Sequence, residues 1–163
     1  ANNRLVGTLP EVRNVSGFQV YDVSTNNFTG MLPTWLSEMT NLYYFSLSNN
    51  SLTGTLPPKL GRLTDLQILF VNNNSLTGIL PTEIGQLTSL QYLFVGDNSL
   101  TGTLPTELAQ LTALQYVDLS DNGFTGIFPE ELVQASGLIG LNVSLNALTG
   151  TIPPELARLS SMT

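Results

Sequence analysis

Cysteine and histidine are both absent from this chain of 163 residues. Without them the chain has no thiolate nucleophile, no Ser-His or Cys-His catalytic pair, no disulfide bond and no zinc site built from the usual ligands. We therefore predict no catalytic residues, no metal site of that kind and no cofactor, and we expect that the protein is not an enzyme.

Charged residues are scarce, and basic residues are the scarcest. Only 10% of the residues are charged, and 5 Lys and Arg against 12 Asp and Glu give a formal net charge of −7. Nucleic acid and anionic membrane surfaces both attract clustered basic side chains, so neither is an expected partner. No uninterrupted apolar run reaches the roughly 18 residues that suggest a membrane span, so we expect this segment itself to make no membrane contact.

The chain is rich instead in one repeated phrase. The stretch NNSLTGTLP begins at Asn49, and related stretches begin at Asn2, Asn26, Asn73, Asp97, Asp121 and Leu145. Their glycines are Gly7, Gly30, Gly54, Gly78, Gly102, Gly126 and Gly150, which gives one step of 23 residues and five of 24. A fixed period of this size predicts a stacked solenoid, so residues 1–163 are expected to form a single domain of about seven coils.

One repeat can be interpreted position by position. Its register, LxxLxLxxNxLxGxxPxxLxxLxx, is filled in one coil by Leu42, Phe45, Leu47, Asn50, Leu52, Gly54, Pro57, Leu60 and Leu63. The alternation of Phe45 and Leu47 is typical of a short strand with one buried face. Six such strands are expected to stack as a parallel sheet.

The Asn of each repeat is predicted to form a buried ladder. Asn carries both a donor and an acceptor, so it can bridge the backbone groups that are left unpaired where each coil turns inward. The ladder residues are Asn26, Asn50, Asn74, Asn98, Asn122 and Asn146. The glycine four residues later suits a positive φ, and the following proline suits the start of a turn.

This register resembles the leucine-rich repeat family, and its LTGxIP-like element resembles the plant-specific class found in receptor-like kinase ectodomains and polygalacturonase-inhibiting proteins. The resemblance implies an α/β-type repeat solenoid, a right-handed curved superhelix. It would have a parallel concave sheet, second short strands after the Asn ladder, and short 3-10 or helical turns on the convex side. The family's cysteine-paired caps are absent, so we expect a fragment that lacks its native caps and whose open ends favour end-to-end self-association.

The function implied by this resemblance is extracellular recognition, as part of a cell-surface receptor ectodomain that binds through its concave face. A secreted inhibitor of a cell-wall-degrading enzyme and a structural or adhesive surface repeat are the alternatives. The predicted partner is a protein, a peptide or a carbohydrate.

Aromatic residues cluster at outward positions of the central predicted strands. They are Tyr44, Phe70, Tyr92, Phe94 and Tyr116. Exposed apolar clusters tend to mark interaction sites, so we predict that these residues bind the ligand. The alternative is that cross-strand aromatic pairs only strengthen the sheet.

An acidic trio, Asp97, Asp118 and Asp121, is predicted to lie beside the aromatic residues and to belong to the same ligand-binding face. A solvated acidic surface is one interpretation of the trio. A basic group of the ligand or a cation could also bridge the carboxylates, although a calcium site usually takes six or more oxygen ligands.

Five Asn-x-Ser/Thr sequons are candidate glycosylation sites and favour an extracellular or cell-surface location through the secretory pathway. Their asparagines are Asn14, Asn27, Asn49, Asn73 and Asn142.

A row of threonines beside the glycines is predicted to belong to the second sheet. The row is Thr29, Thr53, Thr77, Thr101, Thr125 and Thr149. Regular threonine arrays can bind ice, but this requires a flat array and stacked strands twist by default, so the sequence does not favour ice binding.

Overall fold

The computed structural model describes residues 3–11, 17–151 and 153–154, which form two parallel sheets joined by short turns. The strands are β1 (Val6–Thr8), β2 (Val20–Asp22), β3 (Asn27–Met31), β4 (Tyr44–Ser46), β5 (Ser51–Thr53), β6 (Ile68–Phe70), β7 (Thr77–Ile79), β8 (Tyr92–Phe94), β9 (Ser99–Thr103), β10 (Tyr116–Asp118), β11 (Gly123–Ile127), β12 (Gly140–Asn142) and β13 (Ala147–Thr149). Strands of the two sheets alternate along the chain, as the repeat requires.

The six-stranded sheet, here called the concave sheet, has the order β12-β10-β8-β6-β4-β2 and is parallel throughout. Equivalent residues of adjacent coils pair with each other, as Phe45 does with Leu69 and Leu69 with Leu93. The two inward positions predicted from the sequence are confirmed, because Phe45 and Leu47 are both completely buried.

The second sheet is made by the short strands that follow the Asn ladder. Its strands have the orders β1-β3-β5 and β7-β9-β11-β13. The two groups are joined by the bridge between Thr55 and Thr77 and by a 2.7 Å hydrogen bond from the Thr77 amide to the Gly54 carbonyl. One continuous second sheet therefore runs beside the concave sheet.

In the five coils where the structure describes it, the remaining side is a single 3-10 turn. These turns are Thr34–Glu38, Pro58–Arg62, Thr82–Gln86, Thr106–Gln110 and Glu130–Gln134. A proline with φ between −69° and −73° precedes each one, which confirms the predicted role of that residue. No helix within the described ranges is long and apolar enough to cross a membrane.

The core is one continuous column of leucines and other apolar side chains. The central coils contribute the same set, for which Leu52, Leu60 and Leu63, each at most 1% exposed, are representative. Burial of a leucine side chain stabilises a fold by about 1.5–3 kcal/mol, so each coil is held by its neighbours above and below.

The corner between the two sheets contains a feature that the sequence interpretation missed. One non-glycine residue per coil has a positive φ of 48° to 56°: Thr25, Asn49, Asn73, Asp97, Asp121 and Leu145. Asn and Asp tolerate this left-handed conformation better than other non-glycine residues, and they fill four of the six positions. The recurrence of Asn or Asp immediately before the ladder Asn was the feature of the sequence that could have predicted this conformation.

Candidate ligand-binding face

The Asn ladder fixes the edge of the concave sheet and with it the positions of the outward side chains. Asn74 is typical of the ladder. Its Nδ2 donates to the carbonyl oxygens of Val71 at 3.2 Å and Asn72 at 3.3 Å in its own coil, and of Leu47 at 3.0 Å in the preceding coil. Its Oδ1 accepts from the amide of Leu52 at 3.0 Å. One side chain thus connects two adjacent coils through partly buried hydrogen bonds, so the ladder is half-buried and not fully buried as predicted.

The five aromatic residues lie together on the outward surface of the concave sheet, as the sequence places them. We call this cluster (Tyr44, Phe70, Tyr92, Phe94 and Tyr116) the aromatic ridge. Phe70 pairs with Phe94 across β6 and β8, and Tyr92 pairs with Tyr116 across β8 and β10. Four adjacent strands, β4 to β10, therefore carry the ridge.

The rings of the ridge are stacked on one another. The centroids of Phe70 and Phe94 are 4.7 Å apart with an interplanar angle of 20°, and those of Tyr92 and Tyr116 are 5.4 Å apart with an angle of 7°. Tyr44 packs edge to face against Phe70, with centroids 6.1 Å apart. One face of each ring in the two stacked pairs thus contacts its partner ring.

Small residues lie beside the rings of the ridge and leave space for them. Ser46 occupies an outward position of β4 but is only 2% exposed, and its hydroxyl lies 3.2 Å from that of the buried Ser48. At the other end, the Tyr116 ring lies over Gly140, where an added Cβ would come within 2.7 Å of the ring. Gly140 therefore leaves the space into which Tyr116 leans.

The three acidic side chains lie beside the carboxyl-terminal end of the ridge. Asp118 accepts hydrogen bonds at its Oδ1 from the Ser120 hydroxyl at 2.6 Å and the Ser120 amide at 3.0 Å. Desolvation, then the charge of the neighbouring Asp121 and a hydrogen bond to Asp121, with a smaller contribution from the charge of Asp118, raise the pKa of the exposed Asp97. No group of three or more acidic residues in the described part of the chain has the geometry to hold a metal ion.

Asp97 and Asp121 also have a backbone role that the sequence interpretation did not include. Both lie at the left-handed corner position, with φ of 53° and 48°. The left-handed backbone therefore explains in part why Asp occupies these two positions. Asp118 lies in strand β10, where no positive φ is required.

Four of the five sequon asparagines lie on the surface. Asn27, Asn49, Asn73 and Asn142 are all exposed, and Asn142 lies on the concave sheet in β12. Asn14 lies outside the described residues.

Comparison with known proteins gives the family. A sequence profile described as a leucine-rich repeat region matches residues 6–151. No curated protein sequence matches the chain significantly.

Several solved structures of plant receptors are similar to the chain. The ectodomain of the membrane receptor kinase GASSHO1/SCHENGEN3 from Arabidopsis thaliana, in complex with CASPARIAN STRIP INTEGRITY FACTOR 2, is 35% identical with a TM-score of 0.93, over 99% of this chain and 19% of that chain. The PEPR1–AtPEP1 structure is 34% identical with a TM-score of 0.95, over 100% of this chain and 23% of that chain. The Arabidopsis receptor kinase HAESA, in complex with the peptide hormone IDA and the co-receptor SERK1, is 29% identical with a TM-score of 0.91, over 98% of this chain and 27% of that chain.

These matches share one architecture with the present chain. The chain spans between 19% and 27% of the length of those receptors, so the comparison concerns the repeat solenoid alone. The repeat register, the two parallel sheets and the family profile agree, and the chain belongs to the leucine-rich repeat family and resembles its plant receptor kinase ectodomains.

Proposed function

We propose that this chain is an extracellular recognition module, not an enzyme, that binds a peptide or protein ligand across the aromatic ridge of its concave sheet. The observation that carries the proposal is the stacked ridge itself. It groups five aromatic side chains on the outward surface of four central strands, and Tyr116 remains 37% exposed.

The stacking of the rings favours a peptide over a carbohydrate. A sugar usually packs against a free aromatic face, but one face of Phe70 and one of Phe94 are occupied by their mutual contact, as are one face of Tyr92 and one of Tyr116. The C–H edges that remain carry the positive end of the ring quadrupole. They suit aliphatic side chains and the carbonyl oxygens of a polypeptide.

The charges around the ridge favour a neutral or basic ligand segment. Asp118 follows the ridge in the central column of the sheet, and Asp97 and Asp121 lie at the adjacent corner. The outward strand positions of the concave sheet, from Val20 to Asn142, contain no Lys or Arg. Complementary charge increases association rate and specificity more than affinity, so a basic group at this end would orient the ligand.

The family relationship supports the same proposal. The similar HAESA structure is described as a complex with a peptide hormone and a co-receptor, and the GASSHO1/SCHENGEN3 ectodomain is also in complex with a named factor. The exposed sequon asparagines Asn27, Asn49, Asn73 and Asn142 are consistent with passage through the secretory pathway.

The test is selection of ligands from a displayed library of random peptides, with the full chain as bait. The selected peptides are then assayed against the Phe70→Ser, Phe94→Ser double variant. The control, Ile79→Ser with Ile127→Ser, removes two apolar side chains from the second sheet, where they are 60% and 72% exposed. The proposal requires peptides that bind the parent chain and the control but not the concave variant. Equal binding of the peptides to both variants would exclude the aromatic ridge as the peptide-binding site.

A further inference from the structure

A second surface of the molecule, separate from the aromatic ridge, is regular in two dimensions and has no charge. It consists of the three outward residues of the second strand in each of six successive coils, and we call it the lateral face. Its members are Asn27, Thr29 and Met31; Ser51, Thr53 and Thr55; Ser75, Thr77 and Ile79; Ser99, Thr101 and Thr103; Gly123, Thr125 and Ile127; Ala147, Thr149 and Thr151. All of them are exposed except the half-buried Gly123. Arg4 occupies the corresponding position of the first coil and bounds the face at that end.

The central column of the face is a row of six threonines, five of which are held in one orientation. The Oγ1 of Thr77, Thr101 and Thr149 donates to a glycine carbonyl oxygen of the preceding coil at 3.2, 3.3 and 3.2 Å. Thr29 and Thr125 make the same bond at 3.4 Å. Because each hydroxyl donates its proton inward, its lone pairs remain available to accept from outside.

The column that follows the glycines is equally uniform. Thr55, Ile79 and Thr103 each place their Cγ2 methyl over the glycine of the next coil, 2.8 to 2.9 Å from where a Cβ on that glycine would lie. Ile127 does the same at 3.3 Å. Thr and Ile thus place a methyl group at the same point in four successive coils, whereas Met31 places its Cγ over Gly54.

Spacing along and across the face is set by the sheet. Adjacent coils are ~4.8 Å apart and alternate residues of one strand ~6.6 Å apart, so the face measures roughly 24 by 13 Å. The glycine φ stays between 80° and 83° from Gly30 to Gly126, so each step repeats the one before. The pairing register is constant as well, since Thr29 pairs with Ser51, Thr77 with Ser99 and Thr125 with Ala147, so equivalent residues stay aligned along the face.

The chemistry of the face selects its partner. The chain's 17 charged residues (5 basic and 12 acidic) all lie elsewhere, so the face offers no ion pair to a protein, a nucleic acid or a lipid headgroup. It offers methyl groups and hydroxyl acceptors at fixed, repeated points, and such an array orders the water above it in the same two-dimensional repeat. We propose that the lateral face binds ice.

This inference does not depend on the proposed peptide recognition, because the lateral face and the aromatic ridge lie on different sheets. The test compares the growth of ice grains in a frozen film with the parent chain and with two matched double variants. The first variant, Thr55→Lys with Thr103→Lys, places two cations on the lateral face. The second, Thr82→Lys with Thr106→Lys, makes the same replacement at exposed positions of the 3-10 turns.

The parent chain and the turn variant are expected to suppress grain growth at micromolar concentration. The lateral variant is expected to need at least a tenfold higher concentration for the same suppression. Circular dichroism melting shows that each variant is folded, and a fluorescent conjugate of the parent chain should adsorb to a single ice crystal. The proposal is overturned if the parent chain neither adsorbs nor slows grain growth. It is also overturned if both variants lose activity equally, or if the lateral variant keeps it. A change of oligomeric state in the lateral variant without loss of activity on ice would assign the face to protein contacts instead.

Discussion

The rings of Phe70 and Phe94 lie face to face across β6 and β8, with centroids 4.7 Å apart. Each ring is half-buried by its neighbours, although both occupy outward positions of the sheet. The same contact therefore stabilises the solenoid and builds the proposed binding surface. Stability and recognition have to be separated by experiment, because a change to either ring affects both.

Replacing both Phe70 and Phe94 by Ser is expected to lower the free energy of unfolding by about 2–3 kcal/mol. Partial loss of burial from two phenylalanines and loss of a stacked pair each contribute to this amount. Urea unfolding at equilibrium measures the change, and the Ile79→Ser, Ile127→Ser variant should cost less because those side chains are 60% and 72% exposed. An unchanged midpoint in the Phe variant would mean that the stack contributes nothing to the fold.

Asn98→Ala is expected to destabilise the solenoid by about 2–4 kcal/mol, because it removes the partners of several partly buried backbone groups at once. Asn98 donates to the carbonyl oxygens of Val71 at 3.1 Å and Val95 at 3.0 Å, and accepts from the Leu76 amide at 3.0 Å. Thermal and urea unfolding would measure the loss. Asn72→Ala is the control, since the Asn72 side chain makes no such bridge; equal costs would refute the ladder as a stabilising element.

Gly85→Ala is expected to cost about 1–3 kcal/mol through overpacking between adjacent 3-10 turns. A Cβ at Gly85 would lie 2.6 Å from the carbonyl oxygen of Glu107, whereas a Cβ at Gly17 would meet nothing within 4 Å. The measurement is the difference in unfolding free energy between the two alanine variants. A Gly85 variant as stable as the Gly17 variant would show that the turns are not in close contact.

Asp97→Asn is expected to stabilise the protein slightly at neutral pH, by less than about 1 kcal/mol because the group is exposed. The pKa of Asp97 is raised above its usual value of 3.8 in the folded state. The ionised form therefore opposes folding above that pKa, and the penalty is lost as the pH falls below the unfolded value. Melting curves at pH 7 and pH 3 should show the gain only at pH 7.

A control for this pH dependence is Asp65→Asn, which removes one negative charge outside the acidic trio. It is expected to give no pH-dependent gain comparable to that of Asp97→Asn. If the two variants behaved alike, the effect would come from the net charge of −7 and not from the neighbouring Asp121.

The repeat period allowed most of the fold to be predicted. Because Leu42, Phe45 and Leu47 recur with the same spacing in successive coils, one buried face could be inferred and the sheet built by stacking it. The prolines marked the start of each 3-10 turn, and the glycines marked the positive φ that all seven adopt. These features depend on residues close together in the sequence, so they could be predicted without knowledge of contacts between distant residues.

Features that depend on contacts between coils were harder to predict. The left-handed conformation of Asp97 and Asp121 was missed, because an Asp side chain can signal a charge or a turn equally well. The burial of Ser46 was also missed, since strand alternation places it outward. The stacking of Phe70 on Phe94, as opposed to two free rings, depends on side-chain rotamers that a repeat pattern does not specify.

The central claim is that the aromatic ridge binds a peptide, and isothermal titration calorimetry tests it most directly. One library-selected peptide is titrated into the parent chain, into Phe70→Ser with Phe94→Ser, and into Ile79→Ser with Ile127→Ser, at a temperature where all three are folded. The account predicts at least tenfold weaker binding to the Phe variant and unchanged binding to the Ile variant. Unchanged affinity in the Phe variant would contradict it.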